Sequence, residues 1–324
     1  MNRAMWLGAV AGTAMLIPAS AMAAESTPDS AGSGPRMALR ISGALPDGQR
    51  SVVLGGQAFS VVGSLGAYAA GERVRVTLFR SGRRVDSVTA QLRPNEGAGR
   101  FAARFRVRTA GTYTVSALHE ATAAIGRSTA QAGPVEIVRP ALGYGSRGPL
   151  VRVMQNELAR QRYVISRSGV YDAATGRAVR AFRSVNRMRK LTIPNHAMLE
   201  LVFQRKGAFR LRYPGHGKHV EADITRQVLV LASGGRVERV YITTPGAPAT
   251  PTIRGRFRFR WKDPGYNSLG MLHSAYFGFG GYAIHGYVSV PPYHASHGCL
   301  RVPLVNARGI YDWIRVGDTI DVWR

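Results

Sequence analysis

At 324 residues the chain has room for two or three domains, each with its own core. It carries 44 Lys and Arg against 18 Asp and Glu, a net charge of +26, and Arg far outnumbers Lys. A single cysteine excludes an internal disulfide.

The N-terminus reads as a secretory signal over residues 1–24. Arg3 precedes an apolar run, Ala4 to Ile17, and then come Pro18 and Ala21-Met22-Ala23. The run is too short to span a bilayer, no cysteine stands at the cleavage point, and no second hydrophobic run follows. The expected mature protein is exported to the cell wall or periplasm without a transmembrane segment. Such a strong positive charge ordinarily points to nucleic acid. An exported chain makes anionic wall polymers the better partners and nucleic acid an unexpected one, with GC-rich coding as the competing explanation of the arginines.

Residues 25–36 are rich in Ser, Gly and Pro and read as a linker. Over residues 37–139 the hydrophobic period is two. Val74, Val76 and Leu78 alternate with Arg75 and Thr77, and Phe101, Ala103, Phe105 and Val107 alternate with Arg104 and Arg106. Pro46-Asp47-Gly48, Ser81-Gly82 and Pro94-Asn95-Glu96-Gly97 supply turns. This predicts a β-sandwich with a basic, solvated strand face. Ala110-Gly111-Thr112-Tyr113 is similar to a late strand of immunoglobulin-like domains, whose tyrosine ties down a corner.

A glycine-rich hinge, Leu142 to Pro149, opens residues 142–206, where the period becomes helical. Leu150, Val153, Met154 and Leu158 share one face, and Ala178, Val179, Phe182 and Val185 share another. Asp172 is placed to cap the second helix, and a third is expected from His196. Gly145, Ser146, Gly148, Pro149, Val151, Met154, Gln155, Gly169, Tyr171, Thr175, Ala178, Val179 and Phe182 follow a pattern that resembles the small three-helix peptidoglycan-binding domain. Arg183 stands where that family commonly has Gln.

Residues 215–324 hold the chemistry. Apolar strands are expected around Lys218–Ile224, Gln227–Leu231 and Val237–Ile242, a short helix over Ala307–Ile314, and a last strand before Val322. Within them lie Ile284-His285-Gly286-Tyr287 and Ser296-His297-Gly298-Cys299-Leu300-Arg301. A thiol nucleophile needs a base and backbone N–H groups to hold an oxyanion. His285 is the candidate base for Cys299, and the N–H groups of Gly298 and Cys299 are candidate oxyanion donors. His297 stands two residues from the nucleophile and is expected to line the pocket.

This stretch resembles the signature of the L,D-transpeptidases (YkuD-type catalytic domain): His-Gly, a variable loop, then Ser/Thr-His/Lys-Gly-Cys, an apolar residue and Arg or Asn. The loop here is short for that family. The resemblance implies that a backbone carbonyl at Gly286 orients His285. It further implies that Cys299 forms a thioester with a wall stem peptide and that an amine of a second stem resolves it, with no metal or cofactor. Donor and acceptor stem peptides are therefore the expected partners. Ser296, Arg301, Tyr287, His273 and Tyr276 are the expected substrate-binding residues. An L,D-carboxypeptidase, a wall hydrolase of the same fold and a non-catalytic wall-binding protein are the alternatives. The expected fold class is multidomain and mainly β: a β-sandwich, a three-helix domain and a mostly-β catalytic domain.

Overall fold

A computed structural model describes residues 34–324 and shows a mainly-β molecule. The expected signal segment lies outside the described residues. Residues 37–138 carry β1 (Met37–Ser42), β2 (Leu45–Asp47), β3 (Arg50–Leu54), β4 (Ala58–Leu65), β5 (Arg73–Arg80), β6 (Arg83–Gln91), β7 (Arg93–Asn95), β8 (Ala98–Arg106), β9 (Gly111–His119) and β10 (Ser128–Val138). They form a four-stranded sheet, β1-β4-β8-β7, and a six-stranded sheet, β2-β3-β10-β9-β5-β6. Phe59, Phe101 and Phe105 from one sheet meet Val76, Tyr113 and Ile137 from the other in one core. The arginines of β5 and β8 point to solvent, as the period-two pattern requires. The Tyr113 hydroxyl donates to the Thr109 carbonyl at 2.9 Å, so the corner is tied as expected.

Three helices follow: α1 (Pro149–Arg160), α2 (Ala173–Val185) and α3 (His196–Phe203). Asp172 caps α2 by accepting from the Thr175 N–H at 2.7 Å, and Asn195 caps α3 by accepting from Met198 at 3.0 Å. Gln155 is buried and donates to the Val170 carbonyl and Thr175 Oγ1, while its own carbonyl accepts from the Gly169 N–H. Its position is thus explained by the turn that it fastens.

The C-terminal segment contains β11 (His219–Asp223), β12 (Val228–Ser233), β13 (Arg236–Ile242), β14 (Gly255–Tyr266), β15 (Leu272–Phe277), β16 (Ala283–Tyr287), β17 (Leu300–Pro303), α4 (Leu304–Trp313) and β18 (Thr319–Trp323). The strands make one sheet in the order β13-β12-β11-β18-β14-β15-β16-β17. β12 is buried on both faces, which is why it reads as an unbroken apolar run. Leu229 and Leu231 pack with Val220 and Ala222 on one side, in the core that α4 closes with Ala307 and Ile310. Val228 and Val230 face the other way, onto Met154, Phe182 and Val202 of α1–α3.

The glycine-rich hinge, Leu142–Pro149, adjoins that second face, where Leu142 and Leu150 pack with the same core. The same core takes in Leu45, Val52 and Leu54 of the sandwich. Arg152 of α1 grips Asp47 with two hydrogen bonds, at 2.9 and 2.7 Å. Backbone bonds also tie the helical segment to β13: the Val240 N–H donates to the Arg162 carbonyl, and the Val164 N–H donates to the Val240 carbonyl. The glycines at the junction serve turns; apolar burial on three sides holds the joint together.

Phe182 lies at the centre of this shared core and is fully buried. Phe182→Ala should cost about 3–5 kcal/mol. In urea, helical ellipticity and the fluorescence of Trp261, Trp313 and Trp323 should be lost together at one lowered midpoint. Helices that melt first, with the tryptophan signal unmoved, would contradict the shared core.

Candidate active site

β16 and β17 run parallel, with Ile284 opposite Leu300 and His285 opposite Arg301. Side chains alternate across a sheet. Ile284, Leu300 and Val302 therefore enter the core beneath α4, and His285, Tyr287, Arg301 and the residue just before Leu300 share the other face. That residue is Cys299. It packs against Met271, Tyr276 and Ala283 in a small cluster of its own. His285, opposite Arg301, and Cys299, two residues before Arg301, are thus diagonal neighbours across the parallel pair.

His285 is 3% exposed, and its Nδ1 donates to the Gly286 carbonyl at 3.0 Å. A carbonyl only accepts, so Nδ1 carries the proton and the Nε2 lone pair is free. Gly286 has a packing reason as well: a Cβ there would lie 2.6 Å from Ala307 Cβ of α4 and 3.2 Å from Leu272 Cβ.

The cysteine loop is held by its own serine and by the strand connection ahead of it. Ser296 is buried; its Oγ donates to the Cys299 carbonyl and accepts from the Gly298 N–H at 3.1 Å. The Pro245 carbonyl accepts from both Ala295 and Ser296, and the Ala247 N–H donates to Ser296. Thr244 and Arg301 exchange backbone bonds, and Thr243 Oγ1 donates to the Arg301 carbonyl at 2.9 Å. Gly298 has φ +112, and a Cβ on it would come within 2.8 Å of the Tyr282 ring. The loop thus fixes the half-buried Cys299 just ahead of β17.

Residues 217–322 match the L,D-transpeptidase catalytic domain, YkuD. The chain is also similar to an L,D-transpeptidase from Xylanimonas cellulosilytica at 28% identity and a TM-score of 0.54, over 57% of this chain and 98% of that one. The covered part is longer than residues 217–322, so the likeness extends ahead of the catalytic domain. Further similar structures are an L,D-transpeptidase from Stackebrandtia nassauensis (18% identity, TM-score 0.36, 57% of this chain and 96% of that one) and one from Mycobacterium smegmatis (14%, 0.30, 89% and 100%). No curated protein matches the sequence. The C-terminal domain is therefore that of a peptidoglycan-modifying enzyme, and L,D-transpeptidases act on cell-wall peptidoglycan. Among the described residues no helix is long and apolar enough to cross a membrane.

Within this L,D-transpeptidase domain several expected site residues take different places. Ser296 is a loop fastener, because both of its side-chain hydrogen bonds close its own turn. The Gly298 N–H is spent on Ser296, which removes it from the expected oxyanion pair. His273 lies on the α4 side of β15: its Nδ1 accepts from the Gly265 N–H at 3.0 Å and its ring sits 5.3 Å from Tyr311. The bulge in the pairing between Leu272 and Ala275 lies beside it, and His273 itself has φ +53. Tyr276 does share the Cys299 face, stacked 4.4 Å from Trp261, with its hydroxyl accepting from Asn267. The Arg301 guanidinium sits 4.2 Å over the Tyr287 ring, whose edge-on neighbour is His285 at 5.7 Å. His297 is exposed and lines an open groove of about 1060 Å³ with Thr250, Pro251, Tyr282, Arg212 and Trp323. His294 donates from Nε2 to the Ile224 carbonyl at 2.9 Å.

Burial pushes the Cys299 thiol up and lowers His285 to about 4, with the Arg301 charge adding to the latter fall. At neutral pH both groups are uncharged: the resting site holds a thiol, which donates to the Gly281 carbonyl at 3.7 Å, and a neutral imidazole. The thiolate fraction at pH 7 is then lower than for a free cysteine. Alkylation of Cys299 by iodoacetamide should be slow at pH 7 and climb through pH 9 without an earlier plateau. A plateau between pH 6 and 7 would reveal a resting thiolate–imidazolium pair and refute this. Gly286→Ala should lower the melting temperature and slow acylation by a carbapenem at least tenfold. The pair Gly286→Ala with Ala307→Gly, which reopens the space, should recover much of each, measured by thermal unfolding and intact mass.

Proposed function

We propose that the protein is a cysteine-dependent L,D-transpeptidase, an acyltransferase that cross-links peptidoglycan stem peptides in the exported compartment. The observation that carries this reading is the placement of His285 and Cys299 on one face of adjacent parallel strands, with Nδ1 committed to Gly286 and Nε2 left free. In the proposed layout residues 37–139 are a spacing or adhesion domain, 142–206 a peptidoglycan-binding domain and 215–324 the catalytic domain.

Cys299 Sγ attacks the carbonyl of the third residue of a tetrapeptide stem as its proton passes to His285 Nε2. Because the thiol stays protonated at rest, proton transfer accompanies C–S bond formation. An imidazolium with a pKa near 4 is a strong acid, well suited to protonate the departing amine of the terminal D-alanine. The C–N bond breaks and a Cys299 thioester remains. The amine of a second stem then attacks, giving up a proton through His285, and the thiol is regenerated. With the Gly298 N–H donating to Ser296 Oγ, the Cys299 N–H is the oxyanion donor retained from the expected pair. Arg301 is stacked on Tyr287, and its charge is available to a stem-peptide carboxylate.

Cys299→Ala should abolish both cross-linked dimer and covalent carbapenem adduct. His285→Ala should reduce turnover at pH 7 by ~10²–10⁴ and regain part of it at high pH, where hydroxide forms thiolate unaided. Mass analysis of products from a disaccharide-tetrapeptide separates the outcomes: dimer is expected, tripeptide alone would mean a carboxypeptidase, and full activity in Cys299→Ala would end the proposal.

A further inference from the structure

Arg180 of α2 is 6% exposed, yet it is a cation. Its Nη1 donates to the Val290 carbonyl at 2.5 Å and its Nη2 to the Pro291 carbonyl at 2.6 Å. Burial alone lowers its pKa, to about 10, with no acid offsetting the charge, and its Nε has no partner. Burying an unpaired cation costs several kcal/mol, and an apolar side chain would fill the site more cheaply. The two carbonyls that it holds belong to the loop joining the His285 strand to the Cys299 turn.

That loop cannot brace itself. Pro291 and Pro292 supply no N–H, so the carbonyls around them need donors from elsewhere. Thr244 Oγ1 donates to Pro291 at 2.7 Å and Gln227 Nε2 to Tyr293 at 3.1 Å. Gln227, at φ +59, is held in turn through its side-chain oxygen by Lys190 Nζ, which also donates to the Thr225 carbonyl. Arg180 and Lys190 both come from the helical segment. Val290 itself packs against the core that the helices share with β12 and β13.

We infer that Arg180, supported by Lys190 through Gln227, is a positioning residue for acyl transfer: the helical segment forms the floor under the loop between His285 and Cys299. It acts through the loop and touches no reacting atom. This rests on the transpeptidase reading for its catalytic consequence, but the loop's dependence on Arg180 stands on geometry alone.

The test uses the full-length chain with Arg180→Met, Arg180→Lys and Lys190→Met. Hydrogen exchange of the amides over residues 288–296 should quicken at least tenfold in Arg180→Met, with protection of Ala178 and Phe182 unchanged. The kcat for dimer formation and the rate of carbapenem acylation should both fall at least tenfold, and KM should move less than kcat. Alkylation by iodoacetamide, which needs only the thiol, should stay within twofold. Arg180→Lys should fall between wild type and Arg180→Met, and Lys190→Met should show the same pattern more weakly. Unchanged loop exchange and acylation in Arg180→Met would overturn the inference. If that variant loses protection in α2 as well, Lys190→Met decides: no quickening of loop exchange there overturns it equally. A wild-type protein without acyl transfer would defeat the transpeptidase reading, and the exchange measurement would still decide whether the helices carry the loop.

Discussion

The parallel pairing of β16 and β17 is the constraint on which the site depends, since it sets His285 opposite Arg301 and so brings Cys299 onto the histidine's face. Parallel strands cannot be joined by a tight turn. The chain must cross over between Tyr287 and Leu300, and the crossover becomes the loop that carries Pro291, His294, Ser296 and the thiol. A one-residue slip in the register would turn either His285 or Cys299 into the core under α4. Packing guards against that slip: Ile284, Leu300 and Val302 are fully buried on the α4 face, and Gly286 leaves no room for a side chain against Ala307.

The electrostatics follow from the same placement. Burial disfavours charge on both the imidazole and the thiol, and the nearby Arg301 makes an imidazolium costlier still. A site that stores no thiolate at rest is protected from adventitious alkylation and oxidation, which attack thiolate. In the proposed acyl transfer the proton moves only when a carbonyl is in place to receive the sulfur. Such protection fits the proposed role of Cys299 as the nucleophile of an exported enzyme with no second cysteine in its sequence.

The helical segment and the catalytic sheet meet through apolar contacts, but their most specific contacts are polar and converge on the crossover loop. Val228, Val230, Val240 and Ile242 supply burial under Phe182 and Met154, and any close-packed apolar surface could do the same. Arg180 on two successive carbonyls is different, because a planar guanidinium with two arms fixes direction as well as distance. The sandwich is attached by the same mixture, with Leu45 and Val52 in the shared core and Asp47 gripped by Arg152.

Much of this was legible in the sequence. Period two over Arg73–Arg80 and Ala98–Arg106 specified strands with one wet, basic face, because alternation is a local property of the extended chain. Helical spacing around Val153 and Phe182 specified amphipathic helices, and Asp172 was legible as the cap of the second through a bond three residues long. The spacing of His285, Ser296 and Cys299 carried the resemblance to the L,D-transpeptidases, which the match over residues 217–322 supports. What the tertiary structure alone decided depends on groups far apart in the chain. The sequence placed His273 with the substrate, and the bulged pairing of β15 turned it toward α4. Ser296 looked like a ligand contact until its bonds to Cys299 and Gly298 closed its own turn. Nothing local marked Arg180, which is 110 residues from Val290; its role exists only because two helices and a sheet bury one core between them. Periodicity and motif spacing carry short-range information, whereas the direction of a side chain and the partner of a buried charge are set by packing that no local pattern encodes.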